Sequence, residues 1–502
     1  LGYECNNFTN NSTALCADFG EGSLAFLSTF HQNPVLFVTL YLNSFFMETA
    51  SLQNMRRYFE SGITLPYAFR REQLLALKRA IEAHEEDIYE ALRIDLKKSK
   101  EEAFASENGL TLTDLNESLR HLKEWMSPEL VSTALFNLPS RSYIRHEPLG
   151  VILIVAPWNY PFQLSFTPLI GAIAAGNCAV VKPSEFAPAT AEVIGRIIKK
   201  TFPPEYVMFV DGEGAKVIPE MMQSFRFDHI FYTGSTQVGR IMYQKAAEQL
   251  IPVTLELGGK SPAVIEKDVN LTVAARRITL GKFMNAGQTC IAPDYVLVPE
   301  AMLQPLAEEM KKCIDQFYGK EVSASADYGR IINQKQFDRL STYLHSGTVL
   351  FGGKTNREEL FIEPTLMTDV ALDAPVMHDE IFGPILPLIP YTTREQAREI
   401  IARNPNPLAF YVFTESKANA TYWLDAVPAG GACVNNANLH IANLELPFGG
   451  RGNSGIGSYH GRQSFFTFSH KKSVMRTPTW FDPNMKYPPY KGKLWLLKML
   501  LR

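Results

Sequence analysis

The chain has 502 residues, enough for about three domains of ordinary size and for large hydrophobic cores. Its 46% apolar and 20% charged composition is that of a soluble globular protein, and 49 basic against 52 acidic side chains leave a net charge of −3. That balance advertises no nucleic-acid surface, and six irregularly spaced cysteines make no disulfide framework, so a reducing, cytoplasmic setting fits best.

The first 55 residues differ from the rest, since the first basic side chain is Arg56. They carry the sequon-rich "NNFTNNST" (6–13) and the apolar run "PVLFVTLYLNSFFM" (34–47), which Asn43 interrupts before it reaches membrane-spanning length. A secretory signal would need a basic start and a small-residue cleavage site, and neither is present. Residues 1–46 therefore read as an atypical extension, with Met47 the candidate start; an uncleaved membrane anchor is the alternative.

From residue 66 the pattern turns regular. Leu74, Leu77, Ile81, Ile88 and Leu92 recur at helical spacing between charges, and a second helical stretch follows near 107–126. Then come short apolar runs at 150–156, 178–182, 207–211, 229–233 and 253–257, separated by helix-like segments such as 188–202 and 236–250. Strands alternating with helices predict an α/β fold with a parallel sheet, and ligands of such sheets bind beyond the carboxyl ends of the strands.

The loops after these runs are the places to search. "APWNYP" (156–161) stiffens a turn around Asn159, and "KPSE" (182–185) offers a cation, Lys182, and a carboxylate, Glu185. In "YTGSTQVG" (232–239), Gly234 permits a tight turn and Ser235 or Thr236 can cap the helix behind it. A helix N-terminus attracts phosphate, but the spacing is not G-x-G-x-x-G, and plain capping is the competing reading. Glu256 stands among apolar neighbours at the end of a strand. It either pairs with a lysine such as Lys260 or acts as a general base with a raised pKa. "NAGQTCIAPD" (285–294) isolates Cys290 without a CxxC partner, an adjacent histidine or metal-ligand spacing. A nucleophilic thiol needs a proton-handling partner, which tips Glu256 toward the base. Cys178, Cys313 and Cys433 read as small packed apolar residues.

"VTLELGGKSP" followed by "GKFMNAGQTCIAPDYVLVP" resembles the aldehyde dehydrogenase superfamily. "APWNYPF", "KPSE", "FYTGSTQVG", "DEIFGPILP" (379–387) and "LPFGGRGNSGIGSYHGRQSFFTFSH" (446–470) appear in the expected order. The Ala-Pro-Asp-Tyr after the cysteine and the Ser-Tyr-His-Gly near 460 resemble the class-three branch of fatty and aromatic aldehyde dehydrogenases. The resemblance runs from about Phe59 to about Pro489.

It implies Cys290 as nucleophile, Asn159 with the Cys290 N–H as oxyanion hole, and Glu256 as the base that hydrolyses a thioester, with Glu380 in reserve. It implies NAD or NADP as cofactor, held by Lys182, Glu185, Gly234, Ser235, Glu380 and Phe382, and no metal. Small Gly287 and Thr289 would leave room for a planar aldehyde, and Gln288 would shape the turn. The implied architecture is a Rossmann-like cofactor domain at 47–255 with a dimer-forming hairpin near 137–149. A catalytic domain at 256–435 and a return segment with a dimer-forming tail at 436–502 complete it. The expected partners are a small aldehyde and a second copy of the chain, without nucleic acid or a firm membrane anchor.

Some positions depart from the branch. "KGKLWLLKMLLR" (491–502) is too short to span a bilayer and reads as a tail docked on protein, with an amphipathic turn on a membrane surface as the alternative. Arg451 stands where an uncharged residue is expected, and His460 falls near the implied substrate entrance or in a structural hydrogen bond. Phe162, Leu164, Tyr459 and Phe465 are the candidates to set pocket width. Competing functions are a CoA-acylating dehydrogenase, a cofactor-free cysteine hydrolase and a non-enzymatic, crystallin-like use of the fold. Glu256 argues against acyl transfer to CoA, because only hydrolysis needs a base for water.

Overall fold

The structure, a computed structural model, describes residues 50–501, so the expectations for residues 1–46 lie outside the described residues. The periodic stretch after residue 66 forms two helices, α1 (Tyr67–Ala83) and α2 (Glu85–Leu96), separated at His84 by a φ of −111° and a ψ of 19°. Leu74, Leu77, Ile81, Ile88 and Leu92 are all fully buried, as their spacing requires. The next helix, α3 (Gly109–Trp125), is entered through a π-helical turn at Phe104–Asn108 that the sequence pattern does not announce.

The strands are β1 (Glu129–Val131), β2 (Arg141–Pro148), β3 (Val151–Val155), β4 (Cys178–Lys182), β5 (Val207–Phe209), β6 (His229–Thr233) and β7 (Val253–Glu256). They continue with β8 (Pro262–Ile265), β9 (Tyr295–Pro299), β10 (Thr348–Phe351), β11 (Thr355–Asn356), β12 (Phe361–Ile362) and β13 (Thr365–Thr368). The last are β14 (Ile385–Tyr391), β15 (Ala409–Phe413), β16 (Gly431–Val434), β17 (Gly455–Ile456) and β18 (Ser469–Arg476). The five apolar runs after residue 149 form β3 to β7, which pair in parallel in the order β7-β6-β3-β4-β5 with β17 antiparallel on the edge. Every residue of β3, β4 and β6 is buried, which is why these runs lack a polar alternation: both faces are covered. A second sheet runs β10-β13-β14-β9-β8-β15-β16, parallel except at β10, and β1-β2-β18 make a small antiparallel sheet.

The chain passes between the two large sheets twice. It leaves the first after Glu256 and enters the second at Pro262; it leaves the second after Val434 and rejoins the first at Gly455. The expected boundary near 255 therefore falls on the last residues of β7. The crossings are tied together, because Leu257 N–H donates to the Ser454 carbonyl at 3.0 Å and Gly455 pairs with Glu256.

Behind the first sheet lies α4 (Gln163–Ala175), buried at every position and ended by Gly176 in a left-handed conformation (φ 93°). The Asn177 amide then fixes the junction: its oxygen accepts from Gly150 N–H at 2.8 Å, and its nitrogen donates to the Ala172 and Phe468 carbonyls at 3.2 and 2.9 Å. Helices α5 (Thr236–Glu248) and α6 (Leu271–Phe283) follow β6 and β8, and α7 (Gly461–Thr467) returns the chain to β18. Among the described residues no helix is long and apolar enough to cross a membrane. The tail forms a helix at Leu494–Leu501 that lies against the Leu135–Asn137 turn of the same chain.

Because Asn177 is fully buried and serves three backbone groups, Asn177→Ala is expected to cost about 2–3 kcal/mol. A urea-unfolding midpoint compared with the parent protein checks this.

Candidate active site

The turn that carries Cys290 is built from an uncommon backbone. After α6, Asn285 (φ 53°), Ala286 (φ 51°) and Gly287 (φ 75°) are three successive left-handed residues. Non-glycine residues pay about 1–3 kcal/mol for this conformation and keep it only where the surroundings enforce it. Here a buried amide does so: Gln288 Nε2 donates to the Asn285 and Arg330 carbonyls at 3.1 and 2.9 Å, and its Oε1 accepts from Ile332 N–H at 3.0 Å. Gly287 cannot be replaced without a clash, since a Cβ there would stand 2.3 Å from the Gly383 carbonyl oxygen. On the flanks, the Tyr160 hydroxyl meets Thr289 Oγ1 at 2.6 Å and the Tyr411 hydroxyl donates to the Ile291 carbonyl at 2.6 Å.

This scaffold presents Cys290 to a narrow pocket whose walls include Tyr160, Leu164, Thr233, Glu256, Ile291, Phe448 and Tyr459. Thirty-three residues of chain lie between Glu256 and Cys290, yet both face the same small space, as expected if a strand end and a loop meet at one cleft. Burial pushes the thiol pKa up, and the carboxyl groups of Glu380 and Glu256 push it further; only the N–H groups of Cys290 and Ile291 act the other way. Glu256 is buried, neither of its oxygens has a hydrogen-bond partner, and desolvation holds its pKa well above the usual carboxylate range.

Lys260 does not pair with Glu256, so that alternative is overturned. Its ammonium instead meets Asp294 Oδ2 at 2.5 Å and donates to the Val376 and Asp379 carbonyls at 2.8 and 3.0 Å. The reason is direction: after β7 the chain turns through Gly258 and Gly259 into the second sheet, which carries Lys260 away from the pocket.

Asn159 follows β3 and is buried. One N–H of its amide donates to the Gln288 carbonyl at 3.0 Å, two residues before Cys290, and an amide nitrogen carries a second N–H. Its own carbonyl accepts from Asn285 Nδ2 at 2.8 Å and Lys98 Nζ at 3.2 Å.

The second group of expected residues lies around the neighbouring strand ends. Glu380 occupies the space beside Gly258, where a Cβ would stand 1.8 Å from Glu380 Oε2. Burial and the Asp294 carboxylate raise its pKa, while the Gly259 N–H and the Lys260 and Lys282 ammonium groups oppose that rise. Its segment is pinned by Ile381 N–H to Asp294 Oδ1 (3.0 Å) and by Arg339 to the Ile381 carbonyl (2.8 Å). Phe382 sits edge-on to Trp158 with ring centres 5.2 Å apart. At the end of β4, buried Lys182 donates to Glu185 Oε2 (2.7 Å) and to the Pro183 carbonyl (2.8 Å), and Glu185 Oε1 accepts from Gly214 N–H (3.0 Å). Burial raises the Glu185 pKa, but these bonds outweigh it and hold the carboxyl below its usual range. Ser235 caps α5, accepting from Val238 N–H at 3.4 Å, and Gly234 N–H donates to the Glu256 carbonyl at 3.0 Å. Ser235 thus caps α5, and the residue before it is bonded to the end of β7.

Of the pocket-width candidates, Leu164 and Tyr459 line the pocket, whereas Phe162 packs on Phe166 and Phe465 on Trp125. His460 lies one layer behind, stacked on Phe448 at 5.2 Å, and burial lowers its pKa to about 4, so the ring is neutral. Arg451 is exposed. Sequence reasoning missed Thr233, whose buried hydroxyl has no partner, and Tyr160. Both stand at positions that the strand-end rule marks: Thr233 closes β6, and Tyr160 lies in the loop after β3.

A thiol and an unpaired carboxyl that face one apolar slot can form and hydrolyse an acyl thioester. Comparison with known proteins agrees in kind. The profile of the Aldehyde dehydrogenase family matches residues 49–474. The chain is 45% identical over 449 residues to 4,4'-diaponeurosporen-aldehyde dehydrogenase of Staphylococcus aureus, covering 89% of this chain and 97% of that one. It is 43% identical to aldehyde dehydrogenase family 3 member H1 of Arabidopsis thaliana, covering 89% and 93%. Among solved structures, substrate-bound AldH of Staphylococcus aureus superposes with a TM-score of 0.88 at 44% identity, over 90% of this chain and 99% of that one.

The raised pKa of Glu256 has a consequence for stability. The native carboxyl keeps a proton that the unfolded chain releases near the ordinary glutamate value, so its contribution is present at low pH and lost as pH rises. Glu256→Gln is therefore expected to raise the melting temperature at pH above about 7 and to leave it unchanged near pH 4. Thermal melts of both proteins across that range check the sign.

Proposed function

The chain belongs to the aldehyde dehydrogenase family and is an NAD(P)-dependent aldehyde-oxidising enzyme. On that premise we propose that it oxidises apolar aldehydes, aliphatic of medium or long chain or aromatic, to carboxylic acids through a thioester on Cys290. The observation that carries this reading is the unpaired, buried carboxyl of Glu256 facing the same pocket as Cys290.

The residues at the strand ends suit a dinucleotide by the chemistry of their donors. Lys182 and Glu185 offer a cation and a carboxylate for ribose hydroxyls, Gly234 and Ser235 lie at the positive end of α5 where a pyrophosphate binds, and Glu380 and Phe382 hold the nicotinamide end. When bound, the nicotinamide supplies the hydride acceptor. Glu185 is the residue that sets the balance between NAD and NADP, because its carboxylate repels a 2′-phosphate.

In this account the Cys290 sulfur adds to the aldehyde carbon as the thiol proton leaves to solvent. The oxygen of the resulting thiohemiacetal is held by the second N–H of Asn159 and the N–H of Cys290, each donor being worth about 2.7–4 kcal/mol. With the hydride removed, Cys290 carries a thioester. Glu256, ionised by loss of its own proton to solvent, then removes a proton from water as that water attacks the thioester carbon, and the thiol leaves with that proton. Glu256 fits this role better than Glu380, which is engaged by the Gly259 N–H and stands near Lys260 and Lys282. The apolar slot between Leu164, Ile291, Phe448 and Tyr459 suits an unbranched or flat chain next to the reacting carbon.

We assign a homodimer to the small sheet. Its edge strand β1 exposes Leu130 (79%) and Val131 (39%), an apolar edge that a second copy would cover.

NAD(P)H absorbance with a ladder of aldehydes and no CoA tests the reading: formation is expected without CoA, and strict dependence on CoA would contradict it. Cys290→Ala should lose aldehyde oxidation by at least about 10³-fold. Glu256→Gln should keep one rapid turnover, accumulate a thioester visible by intact-protein mass spectrometry, and lose steady-state activity by about 10²–10⁴-fold. Steady-state turnover of the parent should fall as pH drops through the raised Glu256 pKa, above the ordinary carboxylate range.

A further inference from the structure

The mechanism leaves an ion pair unused. Lys98 Nζ lies 2.5 Å from Glu107 Oε1, and both side chains are wholly buried. Burying such a pair gains little stability over an apolar pair of the same volume, so its placement asks for another reason. Its other contacts supply one. Lys98 Nζ also donates to the Asn159 carbonyl at 3.2 Å and sits 4.0 Å above the Tyr160 ring, while Glu107 Oε2 accepts from Phe162 and Gln163 N–H at 2.9 and 3.2 Å.

Glu107 belongs to the π-helical turn Phe104–Asn108, a departure from regular helix that often marks a functional site. One turn earlier, Glu102 Oε1 accepts from Asn285 N–H at 2.7 Å, and Asn285 Nδ2 in turn donates to the Asn159 carbonyl at 2.8 Å. Residues 98–108 therefore grip both the loop of Asn159 and the left-handed turn that leads to Cys290. The Asn159 carbonyl held on Lys98 and Asn285 fixes its peptide plane, and the side-chain amide that follows from it donates to the Gln288 carbonyl beside Cys290.

We propose that Lys98 and Glu107 are positioning residues for the oxyanion hole, aiming the Asn159 amide at the oxygen of the thiohemiacetal. The inference rests on the reading that Asn159 donates to that oxygen, and the test separates the two. It uses the full chain carrying Glu256→Gln, so that a single acylation turnover is followed by stopped-flow NAD(P)H absorbance. Asn159→Ala should slow the burst rate constant by about 10²–10³-fold; an unchanged rate overturns the underlying reading.

Glu107→Gln and Lys98→Arg should each slow the burst rate constant by about 10-fold or more, with burst amplitude per folded subunit and cofactor Kd retained. Added to Asn159→Ala, neither should slow it further. A loss confined to amplitude or melting temperature, or one that multiplies with that of Asn159→Ala, would overturn the proposal. Should Glu107→Gln fail to fold, Lys98→Arg, which keeps the charge, is read by the same measures.

Discussion

A carboxyl group buried without a hydrogen-bond partner is unfavourable in any fold, and at the end of β7 this chain holds one in Glu256. A protonated carboxyl is the form such a place tolerates, and that form becomes useful where a proton must be taken up and released. The rest of the site follows from keeping the group isolated. Lys260, four residues on, is drawn to Asp294; Lys282 lies 3.9 Å from that same carboxylate. Nearby cations are thus committed to the segment that carries Glu380 and do not neutralise Glu256. Burial raises the Cys290 thiol pKa as well, so thiol and carboxyl share one apolar-walled pocket with both protons held tightly.

The fold delivers this pairing through two crossings of the chain between sheets. Parallel strands end at the same side, so Glu256, Asn159 and Thr233, which close β7, follow β3 and close β6, come together without being near in sequence. Cys290 reaches them through a left-handed turn whose backbone strain is carried by the Gln288 amide and the Gly287–Gly383 contact. Apolar burial on both faces of β3, β4 and β6 provides the rigidity that holds these ends in place.

Much of this was legible in the sequence, and for physical reasons. Short continuous apolar runs with helices between them read as buried parallel strands, and a lone thiol flanked by small residues stands out from packed cysteines. What stayed hidden depends on direction or on distant partners. The Glu256–Lys260 spacing suggests a pair until the Gly258–Gly259 turn sends the lysine to the other sheet. Leu164 and Phe162 look alike in sequence, but one faces the pocket and the other the core. The π-helical turn at Phe104–Asn108 leaves no trace in the hydrophobic period, so nothing in the sequence singles out Glu107, which is wholly buried.

The central claim, that Glu256 is an isolated, protonated carboxyl awaiting a proton-transfer partner, can be observed directly. Infrared difference spectroscopy of the parent protein against Glu256→Gln at neutral pH would isolate its carbonyl stretch. A band of a protonated carboxylic acid, present in the parent and absent in the variant, is the predicted result. A carboxylate band in its place, titrating near the value of an ordinary glutamate, would contradict the account.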